Sequence, residues 1–122
     1  MKENDIRVLK IEPQKHPEAV TLHNDLDSMQ KAVGGMIEIV PLSETVCILD
    51  NEEGKLIGLE GNRSLGSDIL VGTFYVTGSD YDGNLCSLTD AEMSEYTNRF
   101  YEPESFTSEE IEATTGFTFL SL

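Results

Sequence analysis

Gly34–Arg63 reads GGMIEIVPLSETVCILDNEEGKLIGLEGNR. Gly34-Gly35 closes a helix, because glycine takes up the left-handed conformation that ends one. In Met36–Leu42, Ile37 and Ile39 alternate with Glu38, which is the period of a strand. Pro41 brings no N–H to a ladder, so it marks a sheet edge or a strand end. In Thr45–Asp50, Val46 and Ile48 alternate with Cys47 and Leu49. Both faces are apolar, as in a strand covered on two sides. Asn51–Gly54 has turn chemistry, and Lys55–Leu59 reads as a third short strand.

Toward the N-terminus, Ile6–Ile11 sends Ile6 and Val8 one way and Leu9 and Ile11 the other, so it reads as a central strand ended by Pro13. Ala19–His23 reads as its hairpin partner. Asn24 reads as the N-cap of a helix, with Asp25 and Asp27 in the first turn, where the dipole favours acids. Leu26, Met29 and Val33 share one face of that helix.

Toward the C-terminus, Glu60–Asp68 (EGNRSLGSD) reads as a loop, and Ile69–Val76 (ILVGTFYV) as the middle strand of the sheet. Gly72 within it signals a bulge or a close approach by another backbone or a ligand. Gly78–Asn84 is a polar turn and Leu85–Leu88 a strand end. Thr89–Glu92 (TDAE) and Thr107–Glu110 (TSEE) are capping boxes. The first opens a helix with Met93, Tyr96 and Phe100 on one face. The second opens a short helix holding Ile111 and stopping at Gly116. Phe117–Leu122 reads as a last strand or a docked tail.

The expected fold is α+β: a mixed or antiparallel sheet of about five to six strands with helices packed on one face. An opening hairpin and helix make a β-grasp-like arrangement one candidate. At 122 residues the chain is read as a single domain. Residues 6–100 form its core and residues 101–122 an acidic, helical C-terminal extension.

Charge narrows the function. Eight bases stand against 23 acids, a net charge of −15. Residues 78–122 hold ten of those acids and a single base, Arg99. Nucleic-acid binding needs cations to replace phosphate counterions, so direct contact with DNA or RNA is not expected. A protein partner with a basic surface suits the charge better. The simpler account is that the charge only keeps the chain soluble. No apolar run reaches membrane-spanning length and no secretory signal precedes the first strand, so a cytoplasmic location is expected. Cys47 and Cys86 form no CxxC pair and read as free thiols.

Motif chemistry is sparse. His16 and His23 have no ligand spacing, so no metal and no cofactor is expected. Asp80, Asp82 and Asn84 miss the calcium-loop pattern, because Gly83 falls at its fourth position. Phosphate-cradling and nucleophile-elbow motifs are absent. Catalysis is therefore not expected. Two groupings remain. Lys55, Asn62 and Arg63, in a glycine-rich stretch, are a candidate ligand site, because arginine forks onto phosphate or carboxylate. The simpler account pairs Arg63 with surface acids. Glu102, Glu104, Glu109, Glu110 and Glu112 are a candidate partner-binding row that imitates phosphates. The simpler account is a solvated helical face.

The blocks VLKIEP, AVGGMIEIVPL, NEEGKLIGLEGNR, DILVGTFYV and CSLTDAEM occur in this order from Ile6 to Phe100. They resemble a family known only as a domain of unknown function, number three-eight-four-six. Similar domains occur in bacteria, phages and conjugative elements. The resemblance implies no catalytic residues. It implies a setting among mobile-element genes that sit near anti-restriction and other counter-defence functions. The leading expectation is a non-enzymatic phage or mobile-element protein that binds and inhibits a host defence protein through acidic nucleic-acid mimicry. The alternatives are a small-ligand binder or sponge for a nucleotide signal, and a structural interaction module.

Overall fold

Val46–Asn51 is buried along its whole length, and it lies beside the other strand at the heart of the sheet, Phe74–Ser79. In the computed structural model, which describes residues 4–115, the elements follow in this order: β1 (Asp5–Ile11), β2 (Glu18–His23), α1 (Leu26–Val33), β3 (Ile37–Pro41), β4 (Val46–Asn51), β5 (Gly61–Leu65), β6 (Asp68–Val71), β7 (Phe74–Ser79), β8 (Leu85–Cys86), α2 (Asp90–Arg99) and α3 (Ser108–Glu112). The main sheet runs β2-β1-β7-β4-β3, with β8 added to β7, and β5-β6 form a separate two-stranded ribbon. The α+β class and the strand number agree with the sequence. Every pairing among the described residues is antiparallel, so among them neither a mixed sheet nor a β-grasp core, with its parallel central pair, is formed.

Side-chain alternation builds two cores. Leu9, Ile11, Val46, Ile48, Phe74 and Val76 point to one face, where Tyr96 and Phe100 of the α2 segment cover them. Ile6, Val8, Leu49 and Tyr75 point to the other, under Met29 and Val33 of α1. The helices therefore lie on both faces of the sheet, not on one as expected. The reason is visible in β1 and β4: each is apolar on both sides, and each side needs a cover. Pro41 lies in edge strand β3, in keeping with its missing donor.

The helix signals hold with one shift. Asp25, not Asn24, is the N-cap of α1 and accepts from Ser28 N at 2.7 Å. Asn24 is drawn away to β8, where its amide donates to the Leu85 carbonyl. Gly34 ends α1 in the left-handed region, at φ 82°. Both predicted capping boxes are formed, at Thr89/Glu92 and Thr107/Glu110. The expected stop at Gly116 and the terminal strand or tail at Phe117–Leu122 lie outside the described residues.

Three segments differ from the sequence reading. Lys55–Leu59 is not a strand but a run of turns, in which Ile57 N bonds Glu53 O and Leu59 N bonds Gly54 O. Leu56 and Ile57 face solvent, so no sheet face forms there. The supposed loop Glu60–Asp68 holds strand β5 and the start of β6, joined by a two-residue turn at Gly66-Ser67. Gly66, at φ 60°, supplies the positive angle that such a turn needs at its first position. The supposed single strand Ile69–Val76 breaks at Gly72, φ 69°. A Cβ there would lie 2.6 Å from Leu59 Cδ1. The chain thus leaves the ribbon and enters the centre of the main sheet at that glycine.

Candidate functional site

β5 carries a bulge. Gly61 pairs with Val71 and Arg63 with Leu70, so Asn62 is an extra residue. In a regular strand two successive side chains point apart. The bulge lets both Asn62 and Arg63 turn inward, and both are completely buried. Asn62 Nδ2 donates to the carbonyls of Ile11 at 2.9 Å and Gly72 at 2.8 Å. Arg63 Nε donates to Phe100 O at 2.9 Å, Nη1 to Asn62 Oδ1 at 2.7 Å, and Nη2 to Lys15 O at 2.6 Å. Burial lowers the guanidinium's affinity for its proton, and the charges of Glu104 and Glu102 work in the opposite direction. Asn62 and Arg63 are thus interior clamps, spent on the chain's own carbonyls. They form neither a ligand loop nor a surface ion pair.

Lys55 does not join them. Its Nζ is held by Asp68 and Thr114 Oγ1. It lines a cleft of about 290 Å³ between β4, the turn at residues 52–58, β6 and the segment after α3. At its base is Asp50, which sits opposite Glu38 in the β3–β4 register. Asp50 is 7% exposed. Its Oδ1 is removed from solvent and has no hydrogen-bond partner. Burial, followed by a hydrogen bond to Glu38 and the charges of Glu38 and Asp68, pushes its carboxyl up to about 8, while Lys55 pulls the other way. A strongly perturbed carboxyl in a cleft marks a candidate binding or reactive site. No sequence motif pointed to Asp50. Its only signal was an acid directly after the apolar run VCIL.

The family model for the domain of unknown function DUF3846 matches residues 6–101. The chain belongs to the DUF3846 family. No curated protein and no solved structure matches it. Asp50, Asn62, Arg63 and Lys55 all fall inside the DUF3846 match. The acidic row Glu102, Glu104, Glu109, Glu110 and Glu112 falls outside it.

That C-terminal segment docks on the DUF3846 core. Phe106 and Ile111 lie against Gly61, where a Cβ would come within 2.8 Å of Phe106 Cδ2. Glu104 accepts from Ser64 N at 3.2 Å and Ser64 Oγ at 2.8 Å. His16 stacks on Tyr101 with ring centroids 4.2 Å apart, and Gln14 Nε2 donates to Glu104 O. Glu104 is therefore partly used inside the fold. Glu102, Glu109, Glu110 and Glu112 are exposed, and among the described residues none of them pairs with a cation. Glu110 also closes the cap of α3 through Thr107 N at 2.8 Å.

The remaining polar groups have local roles. His23 sits between Asp5 and Asp25 at 2.9 and 3.1 Å. Asp80 Oδ1 accepts the amides of Asp82 and Asn84, which is turn geometry. Cys47 and Cys86 are free thiols, and burial raises both of them. Among the described residues no helix is long and apolar enough to cross a membrane.

Proposed function

We propose that the chain is a non-catalytic phage or mobile-element protein whose acidic C-terminal face occupies a basic, nucleic-acid-binding surface of a host defence protein and inhibits it. The observation that carries this reading is the docking of residues 101–115. Phe106, Ile111 and Glu104 anchor the segment, so the carboxylates of Glu102, Glu109, Glu110 and Glu112 stand on a held backbone and remain exposed. A phosphate mimic needs charges that are placed beforehand, because ordering a loose tail on binding costs affinity. A net charge of −15 adds long-range steering toward a cationic groove. The setting comes from the mobile elements in which similar domains occur.

A second reading, a binder of a small nucleotide signal, retains only Lys55 of its three residues. Carboxylates from Glu38, Asp50, Glu52 and Asp68 line the same cleft and oppose an anionic ligand there.

The test is affinity capture from bacterial lysate, at low and at high salt, with wild type and with Glu109→Lys/Glu110→Lys/Glu112→Lys. A nucleic-acid-handling protein should be retained at low salt, shed at high salt, displaced by DNA and lost in the variant. Equal retention by the variant would sink the mimicry.

A further inference from the structure

The lining of the cleft at Asp50 includes none of Glu102, Glu109, Glu110 and Glu112, and its chemistry points elsewhere. A buried acceptor left unpaired is costly, so an orphaned atom in a native fold needs an explanation, and a bound water, ion or ligand is one. Asp50 Oδ1 is such an atom. The carboxylates of Glu38, Glu52 and Asp68 share the cleft with it. The single cation among the described lining residues, Lys55, is already held by Asp68 and Thr114. The cleft is therefore short of positive charge and short of a donor at one defined point. Its walls are not polar throughout. Ile69 is part of β6, and Leu56 is 72% exposed at the mouth.

We propose that this cleft binds an organic cation, a guanidinium or primary ammonium group on a short hydrocarbon stem, with Asp50 Oδ1 accepting one of its N–H groups and Leu56 and Ile69 covering the stem. A cation beside Asp50 favours the ionised carboxylate, so binding releases a proton to solvent and strengthens as pH rises. The charged groups that face Asp50 are Glu38 on β3, Lys55 on the turn and Asp68 on β6. Glu38 and Asp68 favour the proton on Asp50, and the incoming cation replaces that proton's charge. The same chemistry arrives either on a free small molecule or on an arginine or lysine side chain of a protein.

The experiment is an amide NMR titration of the full chain with agmatine and, separately, with a capped Gly-Arg-Gly peptide. Saturable shifts are expected at Asp50, Asn51, Ile69 and Leu70, growing from about pH 6 to about pH 8.5. Glu38→Gln and Asp50→Asn, singly and together, should weaken them by about tenfold or more, a change of about 1.4 kcal/mol. Glu109→Gln/Glu110→Gln/Glu112→Gln should leave them unchanged, which separates this site from the acidic face. Binding of agmatine alone, or tighter binding of agmatine than of the peptide, identifies a free small cation, and tighter binding of the peptide identifies a protein side chain. Absence of saturable shifts at these amides overturns the proposal, as does an undiminished response in both single variants that retain the wild-type fold.

Discussion

Arg63 Nε donates to the carbonyl of Phe100 at 2.9 Å, across 37 residues of sequence. Phe100 is the C-cap of α2, so a buried cation sits at the end of the helix where the dipole is negative. The same guanidinium reaches Lys15 O in the β1–β2 turn and Asn62 Oδ1 on its own strand. One side chain thereby joins the ribbon, the hairpin turn and the second helix. Arginine suits this position because its planar fork offers several fixed donors and lysine does not.

Arg63→Met keeps much of the volume and removes every donor. The Phe100 carbonyl and Asn62 Oδ1 are then left unpaired in the interior, at about 1–3 kcal/mol each, while the part-buried Lys15 carbonyl also loses its partner. The variant should lose at least about 2 kcal/mol in urea unfolding. Arg63→Lys should fall between the two. An unchanged midpoint in the methionine variant would contradict the clamp.

Asp50 gives stability a definite pH dependence. Its folded carboxyl, raised to about 8, holds a proton that the unfolded chain releases near pH 4. Between these values the native state binds more protons than the unfolded state, so stability falls as pH rises through this window. Melting should be lower near pH 8.5 than near pH 6 by at least about 4 °C, which is about 1 kcal/mol for a chain of this size. Asp50→Asn carries no titrating proton and should flatten that slope. A parallel slope in the variant would assign the effect to other groups.

Gly61 sets the close approach of the C-terminal segment. An alanine Cβ there would meet Phe106 Cδ2 at 2.8 Å and Ile111 Cδ1 at 3.2 Å. Gly61→Ala should loosen residues 101–115 and leave the main sheet intact. A glutamate-specific protease should then cut at Glu102–Glu112 about tenfold faster, because cleavage follows the population of the open state. The cost to global stability should be about 1–3 kcal/mol. Unchanged cleavage would mean that the anchor is elsewhere.

Gly78 meets backbone rather than a side chain. A Cβ at this position would lie 2.7 Å from Ser87 O and 2.9 Å from Cys86 O. Backbone cannot move aside without breaking the β7–β8 pairing. Gly78→Ala should therefore lower the melting temperature more than Gly61→Ala does, and differential scanning calorimetry of the pair would show the order.

The sequence alone was sufficient where structure follows local periodicity and local capping. β1 and β4 could be recognised because Ile6/Leu9 and Val46/Leu49 divide their apolar groups between two faces, β7 only as the second half of a run that Gly72 breaks, and α2 and α3 because Thr89 and Thr107 each have a glutamate three residues on. The Gly66-Ser67 hairpin signal was present but was masked by polar neighbours. Asn62 and Arg63 have loop-like composition, and what makes them interior residues is a set of carbonyls at Ile11, Lys15, Gly72 and Phe100, up to 51 residues away. No local pattern encodes those partners. The same holds for Asp50, whose environment is assembled from β3, β6 and the turn at residues 52–58. Periodicity and capping act through neighbours along the chain, so they are written in the sequence. Burial of a polar group and the perturbation of its proton affinity depend on neighbours across space, and for this chain only the tertiary structure decided them.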